Sequence, residues 1–290
     1  MNRDQLWDDL ARDIGRELHD YRSRLQRLAI SVKSDKTLLT EADLAVQNLI
    51  IDRIREIDPN PVIVAEEDER TTVRKEVLDR PERIWVVDPI DGTAEFVKPQ
   101  GREFCSVVCL LEDLMPTAAF ILAPELGTGS TPVVITADAR DGTIAIKAKL
   151  TSLLTENSTS RDDGIQYVSV TRSKDTPPED FESELAEMGY GVKTRTTSQT
   201  LDMVRTAAAN ISGCTDLELP PFRLFMRKSQ KVWDGLAGLC LGQAAGLTSV
   251  DAEGNNRLPV AIEILSQPEP IFPSTIMGDR ELVSWLLKKL

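Results

Sequence analysis

The chain opens on a helical pattern. Leu6, Leu10, Ile14, Leu18, Tyr21, Leu25 and Leu28 return at spacings of three and four, which predicts an amphipathic helix over residues 3–28. Thr40, with Asp43 three positions on, predicts a capped second helix running to about Ile57, where "DPNP" stops it. "PVIVAEED" and "RIWVVDPIDGT" then read as short apolar strands, each ending in acid, with the polar segment "DERTTVRKEVLDRPE" between them. From Phe104 to about Ile146 the pattern turns β-rich: "FCSVVCLL", "PTAAFILA", "TPVVITADA" and "GTIAIKA" are separated by Gly, Pro and charged turns.

The stretch 151–164, "TSLLTENSTSRDDG", is polar and marks a boundary between an α+β half, 1–155, and an α/β half, 156–290. Beyond it the pattern predicts a strand at "IQYVSV", a helix near 178–188, a strand at "YGVKTRT" and a helix from Ser198 to about Ala209. A helix from Val232 to Ala245, a strand near "LTSVD" and a last helix from Gly278 to Leu290 complete the alternation. The fold class is α/β.

Composition narrows the function. The chain has 290 residues, 41% hydrophobic and 28% charged, with a formal net charge of -13. That charge repels a nucleic-acid polymer or an anionic membrane, so neither is expected as a partner. No apolar run is long enough to cross a bilayer and the charged N-terminus is no signal peptide, so a cytoplasmic protein is expected. Four cysteines without zinc-ligand spacing fit a reducing compartment. The single histidine, His19, sits among charged residues, which excludes histidine triads and histidine-built zinc sites.

What remains is acid. "VAEED" places Glu66 and Glu67, "VVDPID" places Asp88 and Asp91, and "VWDG" places Asp234 beside apolar patterns. Gathering such anions is costly unless cations neutralise them. Oxygen ligands without His or Cys select a hard cation, and Mg²⁺ fits best. Glu66, Asp88, Asp91 and Asp234 sum to four negative charges, which two Mg²⁺ ions balance. Pro89 stiffens the turn between the two aspartates, Ile90 offers its carbonyl, and Gly92 and Thr93 offer amides to a phosphate if they open a helix. The chemistry implied is metal-assisted hydrolysis of a phosphate ester. Thr93 reads either as a helix cap or as the hydroxyl that meets the attacking water, and Asp43 either as a capping-box acid or as the acceptor for that hydroxyl.

These segments resemble a known family, the lithium-sensitive, magnesium-dependent phosphatases that include inositol monophosphatase and 3'(2'),5'-bisphosphate nucleotidase. "WVVDPIDGT" and "KVWDGLAGLCLGQAAG" are similar to the family's two signatures, "AEED" to its upstream acidic motif, and "KSDKTLLTEAD" to the segment with Thr-x-x-Asp. The resemblance implies a layered αβαβα sandwich, a homodimer, and two to three Mg²⁺ ions. It places Glu66, Asp88 and the Ile90 carbonyl on one ion, Asp88, Asp91 and Asp234 on a second, and a third near Glu66. It also makes Thr93 and Asp43, with Glu66, the water-activating group, and Gly92 and Thr93 the phosphate-binding amides.

For the substrate, a small phosphorylated metabolite, "GTAEFVKPQGREF" and "VTRSKD" resemble the nucleotidase group and bring in Arg172. Leu201-Asp202 in "SQTLDMV" is closer to inositol-type sequences. The basic run Arg223, Arg227, Lys228 and Lys231 reads either as a grip for a second phosphate, with Lys231 nearest Asp234, or as a solvated loop. A bisphosphate nucleotide is the expected substrate. Inositol phosphate, a sugar phosphate and a biosynthetic aminonucleotide are the alternatives, and a non-catalytic metal- or phosphate-binding scaffold is the reading of a different class.

Overall fold

The computed structural model describes residues 2–33, 38–67, 79, 81–126, 132–148, 166–172, 176–209 and 221–290. Helix α1 (Arg3–Ser23) starts where the Asn2 side chain accepts from the Gln5 amide. A hairpin of β1 (Ile30–Val32) and β2 (Leu38–Thr40) leads into α2 (Glu41–Ile57). The capping box at α2 is complete: the Thr40 side chain accepts from the Asp43 amide, and the Asp43 carboxylate accepts from the Thr40 amide. Leu6, Leu10, Ile14 and Leu18 of α1 pack with Val46, Ile50 and Ile54 of α2.

These helices cover one face of a six-stranded sheet ordered β3 (Ile63–Ala65), β4 (Arg83–Asp91), β5 (Cys105–Glu112), β6 (Met115–Ala123), β7 (Val133–Asp138) and β8 (Thr143–Ala148). Only the β3–β4 pair is parallel. Alternation sends Trp85 and Val87 to the helical face, and Ile84 and Val86 to the other. Both faces are buried, which is why β4 and β5 read as continuous apolar runs. Trp7 stacks on Phe120, with ring centroids 5.4 Å apart, and meets Trp85 edge-on at 6.3 Å.

The second sheet is ordered β10 (Tyr190–Arg195), β9 (Gln166–Arg172), β11 (Phe222–Lys231), β13 (Ile271–Gly278) and β12 (Thr248–Val250). Helices α5 (Gln199–Ala208) and α6 (Val232–Ala244) lie between the sheets, where Met203, Val204, Leu236 and Leu239 meet Val107 and Ile121 on one side and Phe225 and Met277 on the other. Helices α4 (Asp180–Glu187) and α8 (Arg280–Leu287) close the outer face through Phe181, Leu185, Leu282 and Leu286. Two short helices, α3 (Thr93–Phe96) and α7 (Ile262–Leu265), and a 3-10 turn at Leu25–Arg27 complete the elements; α1 therefore ends at Ser23, short of the predicted residue 28, because the chain tightens into that turn after Arg24. The five layers run α/β/α/β/α, as the resemblance implied.

Two strands escaped the sequence pattern. Residues 222–231, which allowed a solvated loop, form β11 at the centre of the second sheet. Its partner β13 carries Pro273, a residue that argues against a strand. Pro273 is tolerated because β12 pairs only with Ile276 to Gly278, so β13 has no second neighbour at the proline. The last helix begins later than predicted, at Arg280, because Gly278 ends β13 and the Asp279 side chain caps the helix by accepting from the Leu282 amide. The boundary at 151–164, the segment 68–78 and the "SKD" of "VTRSKD" lie outside the described residues.

The aromatic stack predicts how firmly α1 is docked. Phe120→Ala is expected to cost about 3–5 kcal/mol in urea unfolding and to weaken the near-ultraviolet circular dichroism of Trp7. A loss below about 1 kcal/mol would show that α1 docks without the stack.

Candidate metal and phosphate site

Asp88 and Asp91 stand three residues apart, an odd number that would point them to opposite faces of a regular strand. The register against β5 slips here: Asp88 faces Val107 and Asp91 faces Cys105, so three steps on β4 match two on β5. This bulge restores the parity and turns both carboxylates to one side. The Ser106 hydroxyl donates to the Pro89 carbonyl at 2.6 Å, holding the bulged backbone.

Gly92 follows with φ +93°, and a Cβ there would lie 2.8 Å from the Glu103 carbonyl oxygen and 3.2 Å from that of Thr197. The conformation and the crowding both require glycine. It opens α3, with the Glu95 amide donating to the Gly92 carbonyl at 2.7 Å. Asp234 joins from the first turn of α6. Asp88, Asp91 and Asp234 are buried, and one oxygen of each lies within 4.8 Å of the others.

Their surroundings differ. One oxygen of Asp91 accepts from the Ser198 hydroxyl and the Thr200 amide, both at 2.7 Å, and Asp234 accepts from Gln199 Nε2 at 2.6 Å. The residues at the start of α5 therefore supply donors to two of the three. Both oxygens of Asp88 are buried with no hydrogen-bond partner among the described residues. Burial, reinforced by the neighbouring acids, raises Asp88 and Asp234 well above the usual carboxylate range, and burial lifts Asp91 to about 6. A buried carboxylate without a donor fits a cation ligand. The three carboxylates form an oxygen-only set, which fits a hard cation such as Mg²⁺.

Glu66 is not part of that trio. Lys33 Nζ bridges Glu66 at 2.9 Å and Glu67 at 2.6 Å, and its own pKa is raised by these acids against the effect of burial. Burial, then the Glu66 charge, pushes Glu67 up to about 7. Thr93 Oγ1 lies 3.1 Å from the Ile90 carbonyl oxygen and 3.4 Å from Asp43 Oδ1, so either oxygen can accept its proton. Asp43 Oδ2 serves the cap, accepting from the Thr40 amide at 2.7 Å and hydroxyl at 2.6 Å. Burial raises Asp43 to about 6.

The two expected substrate cations are engaged elsewhere. Arg172 shares the outer face of the second sheet with Val170 and pairs with Glu182 of α4 at 3.0 Å. Lys231 pairs with Glu269 at 2.9 Å. The cation beside the aspartates is Arg227, whose guanidinium feels the charges of Asp234 and Asp91 while burial depresses its pKa. Lys33, Ser198, Gln199 and Thr200 carry no sequence signal that joins them to the acids, and Arg227 is not distinguished in sequence from the rest of its basic run. Ser198 was legible as a helix cap, but only tertiary structure shows that it also serves Asp91.

Asp202 anchors α5. It accepts from the Ser169 hydroxyl at 2.7 Å and Lys193 Nζ at 2.5 Å, while Arg205 reaches Glu103 at 2.5 Å. Burial works against ionised Glu103, but Arg205 and Lys193 more than offset it and hold the carboxyl at about 2.

A five-layer sandwich with buried aspartates at a strand end and a helix start beside them defines a class of α/β protein suited to holding a hard cation against an oxyanion. Within it, the chain belongs to the inositol monophosphatase family, whose model matches residues 5–282. The 3'(2'),5'-bisphosphate nucleotidase CysQ of Salmonella typhimurium is 32% identical over 117 residues, 40% of this chain and 46% of that one. CysQ of Haemophilus influenzae is 26% identical over 185 residues, 62% of this chain and 65% of its own. The chain thus spans about half the length of several curated relatives it matches. Among solved structures, the extragenic suppressor protein suhB of Bartonella henselae superposes with TM-score 0.70 at 18% identity, covering 98% of this chain and 96% of that one. Thermotoga maritima IMPase gives 0.68 at 20% identity, with 99% and 96% covered. These likenesses establish the fold. Among the described residues no helix is long and apolar enough to cross a membrane.

The acids make metal-free stability depend on pH with a definite sign. Asp43 and Asp91 near 6 and Glu67 near 7 hold protons more tightly folded than unfolded, so the stability they contribute is full below about pH 4 and is lost as pH rises through 6 to 7. With metal chelated, Tm is expected to be higher at about pH 5.5 than at about pH 8. Mg²⁺ should raise Tm more at the higher pH. A pH-independent Tm with no Mg²⁺ shift would show that the carboxylates are balanced within the protein.

Proposed function

We propose that the chain is a Mg²⁺-dependent phosphomonoester hydrolase acting on a small phosphorylated metabolite, with a 3'(2'),5'-bisphosphate nucleotide as its substrate. The observation that carries this reading is Asp88, whose two buried oxygens meet no donor among the described residues and which has an oxygen within 4.8 Å of oxygens of Asp91 and Asp234. Nucleotidase chemistry is supported by the similarity to the CysQ bisphosphate nucleotidases and by the "GTAEFVKPQGREF" segment. A homodimer in the cytoplasm, inhibited by lithium and divided near residue 155, completes the proposal.

Asp88, Asp91 and Asp234, with Glu66 and the Ile90 carbonyl, would hold two to three Mg²⁺ ions. Bound there, Mg²⁺ supplies positive charge to the phosphate ester and acidity to a water. Thr93 Oγ1 would accept a hydrogen bond from that water while its own hydroxyl donates to Asp43 Oδ1, 3.4 Å away, which leaves the Thr93 lone pairs facing the water. Gly92 and Thr93 present the first amides of α3 to the phosphate oxygens. An inositol phosphate is the second reading, favoured by the likeness of "SQTLDMV" to inositol-type sequences.

Asp91→Asn tests the charge without disturbing the scaffold. The asparagine carbonyl can keep the bonds from Ser198 and Thr200, so a folded protein with turnover reduced at least about 10²-fold is expected. Asp43→Asn can keep the cap but offers Thr93 a donor, so kcat should fall about 10² to 10⁴-fold. Both are read as phosphate release from adenosine 3',5'-bisphosphate, AMP and inositol 1-phosphate with Mg²⁺. Full activity in excess chelator would exclude the mechanism, and no release from any ester would favour a binding scaffold.

A further inference from the structure

Helix α2 meets the acidic strand ends at two levels, one turn apart. Asp43 and Gln47 stand four positions apart on the helix, so their side chains leave from one face, and they are 0% and 2% exposed. Asp43 Oδ1 faces Thr93 at the end of β4. Gln47 faces the end of β3: its Nε2 donates to the Glu67 carbonyl at 2.5 Å, and its Oε1 accepts from the Glu67 amide at 3.0 Å.

A side-chain amide carries a donor and an acceptor in one plane, as a peptide group does. Gln47 therefore engages both main-chain groups of Glu67 in the way a neighbouring strand would. It takes over where the ladder with β4 runs out. The register ends at Ala65 opposite Val87, and the Glu66 amide adds one bond to the Val87 carbonyl at 3.1 Å. Glu66 thus lies between two fixed points, the ladder before it and the Gln47 amide after it. Extending the register by one step sets Glu66 beside Asp88, and after burial the Glu66 charge is the largest cause of the raised Asp88 carboxyl. Lys33 also touches this segment, but through the carboxylates of Glu66 and Glu67, so it steers side chains and leaves the main chain to Gln47.

We propose that Gln47 is a positioning residue that fixes the backbone at Glu66 so that the Glu66 carboxylate can serve a cation shared with Asp88. The inference rests on the reading that Glu66 and Asp88 hold Mg²⁺, and it adds a residue that touches neither ion nor substrate. Groups that orient metal ligands from behind set affinity by about 10- to 100-fold. The alternative role for Gln47 is to dock α2 on β3 with no consequence for the cation.

The test is a double-mutant cycle on Mg²⁺ binding, measured by calorimetry on the full chain after chelation and dialysis, with wild type, Gln47→Met, Glu66→Gln and the double variant. Gln47→Met keeps the length and helix propensity of glutamine without its donor and acceptor. It should weaken Mg²⁺ binding by about tenfold or more when Glu66 is present, and have little effect once Glu66→Gln has removed the ligand. Gln47→Asn, one methylene too short to reach Glu67, should behave as Gln47→Met does and carries the cycle if that variant fails to fold. An unchanged Mg²⁺ affinity in a variant that is merely less stable to urea, or an equal loss with and without Glu66, would overturn the proposal in favour of docking. The Mg²⁺ concentration that half-activates phosphate release should follow the same pattern. If wild type binds Mg²⁺ but hydrolyses no ester, the phosphatase reading fails, and the calorimetric cycle still decides the role of Gln47. If wild type binds no Mg²⁺, or Glu66→Gln binds it as wild type does, the proposal falls together with Glu66 as a ligand.

Discussion

The carboxylate of Asp88, buried beside two others and offered no donor among the described residues, is the constraint to which the rest of the site is fitted. An ionised group in that position is penalised by several kcal/mol unless opposite charge meets it. Its neighbours are eased by dipoles: Asp91 by a hydroxyl and an amide from the start of α5, and Asp234 by Gln199. Among the described residues the fold thus satisfies two acids from protein and leaves the third without a donor, where a proton or a cation lowers the energy. The difference between donors supplied and donors withheld separates a binding site from a buried polar cluster.

Keeping α5 in that position is itself an electrostatic task, and the chain closes it as a ring. Asp91 is held by Ser198 and Thr200 at the start of α5, and Asp202 further along the helix is held by Ser169 of β9 and by Lys193 of β10. Arg205 of the same helix reaches Glu103, whose carbonyl borders the position a Cβ at Gly92 would occupy. Gly92 adjoins Asp91, so the path returns to its origin. The second sheet therefore helps to hold the geometry of the first-sheet aspartates, although the two lie on opposite sides of the central helices. Leu201-Asp202, which reads as a substrate-group difference in sequence, is in structure the point that fastens α5 to the second sheet.

The elements with one dominant period were legible. The α1 and α2 stripes, the apolar runs of β4 to β7 and the cap at Ser198 match their predictions because local pattern and tertiary burial agree there. The acids of the candidate metal site were also visible as residues, since carboxylates at strand ends violate that pattern. What could not be read was parity. The bulge that turns Asp88 and Asp91 the same way depends on the register with β5, and no residue in β4 alone reports it. Strand β11 was hidden for a similar reason. Its charged residues look like one basic tract until alternation divides them, with Lys228 towards α4 and Arg227 towards the aspartates. The pairing of Arg172 with Glu182 follows the same rule, since Arg172 shares the face of Val170 and not that of Thr171.

Asp43 shows why two readings of one residue need not compete. A carboxylate has two oxygens, and the capping box uses only Oδ2, fixed by the Thr40 amide and hydroxyl. Fixing one oxygen fixes the plane of the group, so Oδ1 is aimed at Thr93 without an additional entropic cost. A helix cap of this kind is worth about 1 kcal/mol, small for stability but enough to restrict a side-chain rotamer. The cap is therefore the means by which Asp43 is positioned for Thr93, and the motif Thr-x-x-Asp serves helix α2 and the site through the two oxygens of a single side chain.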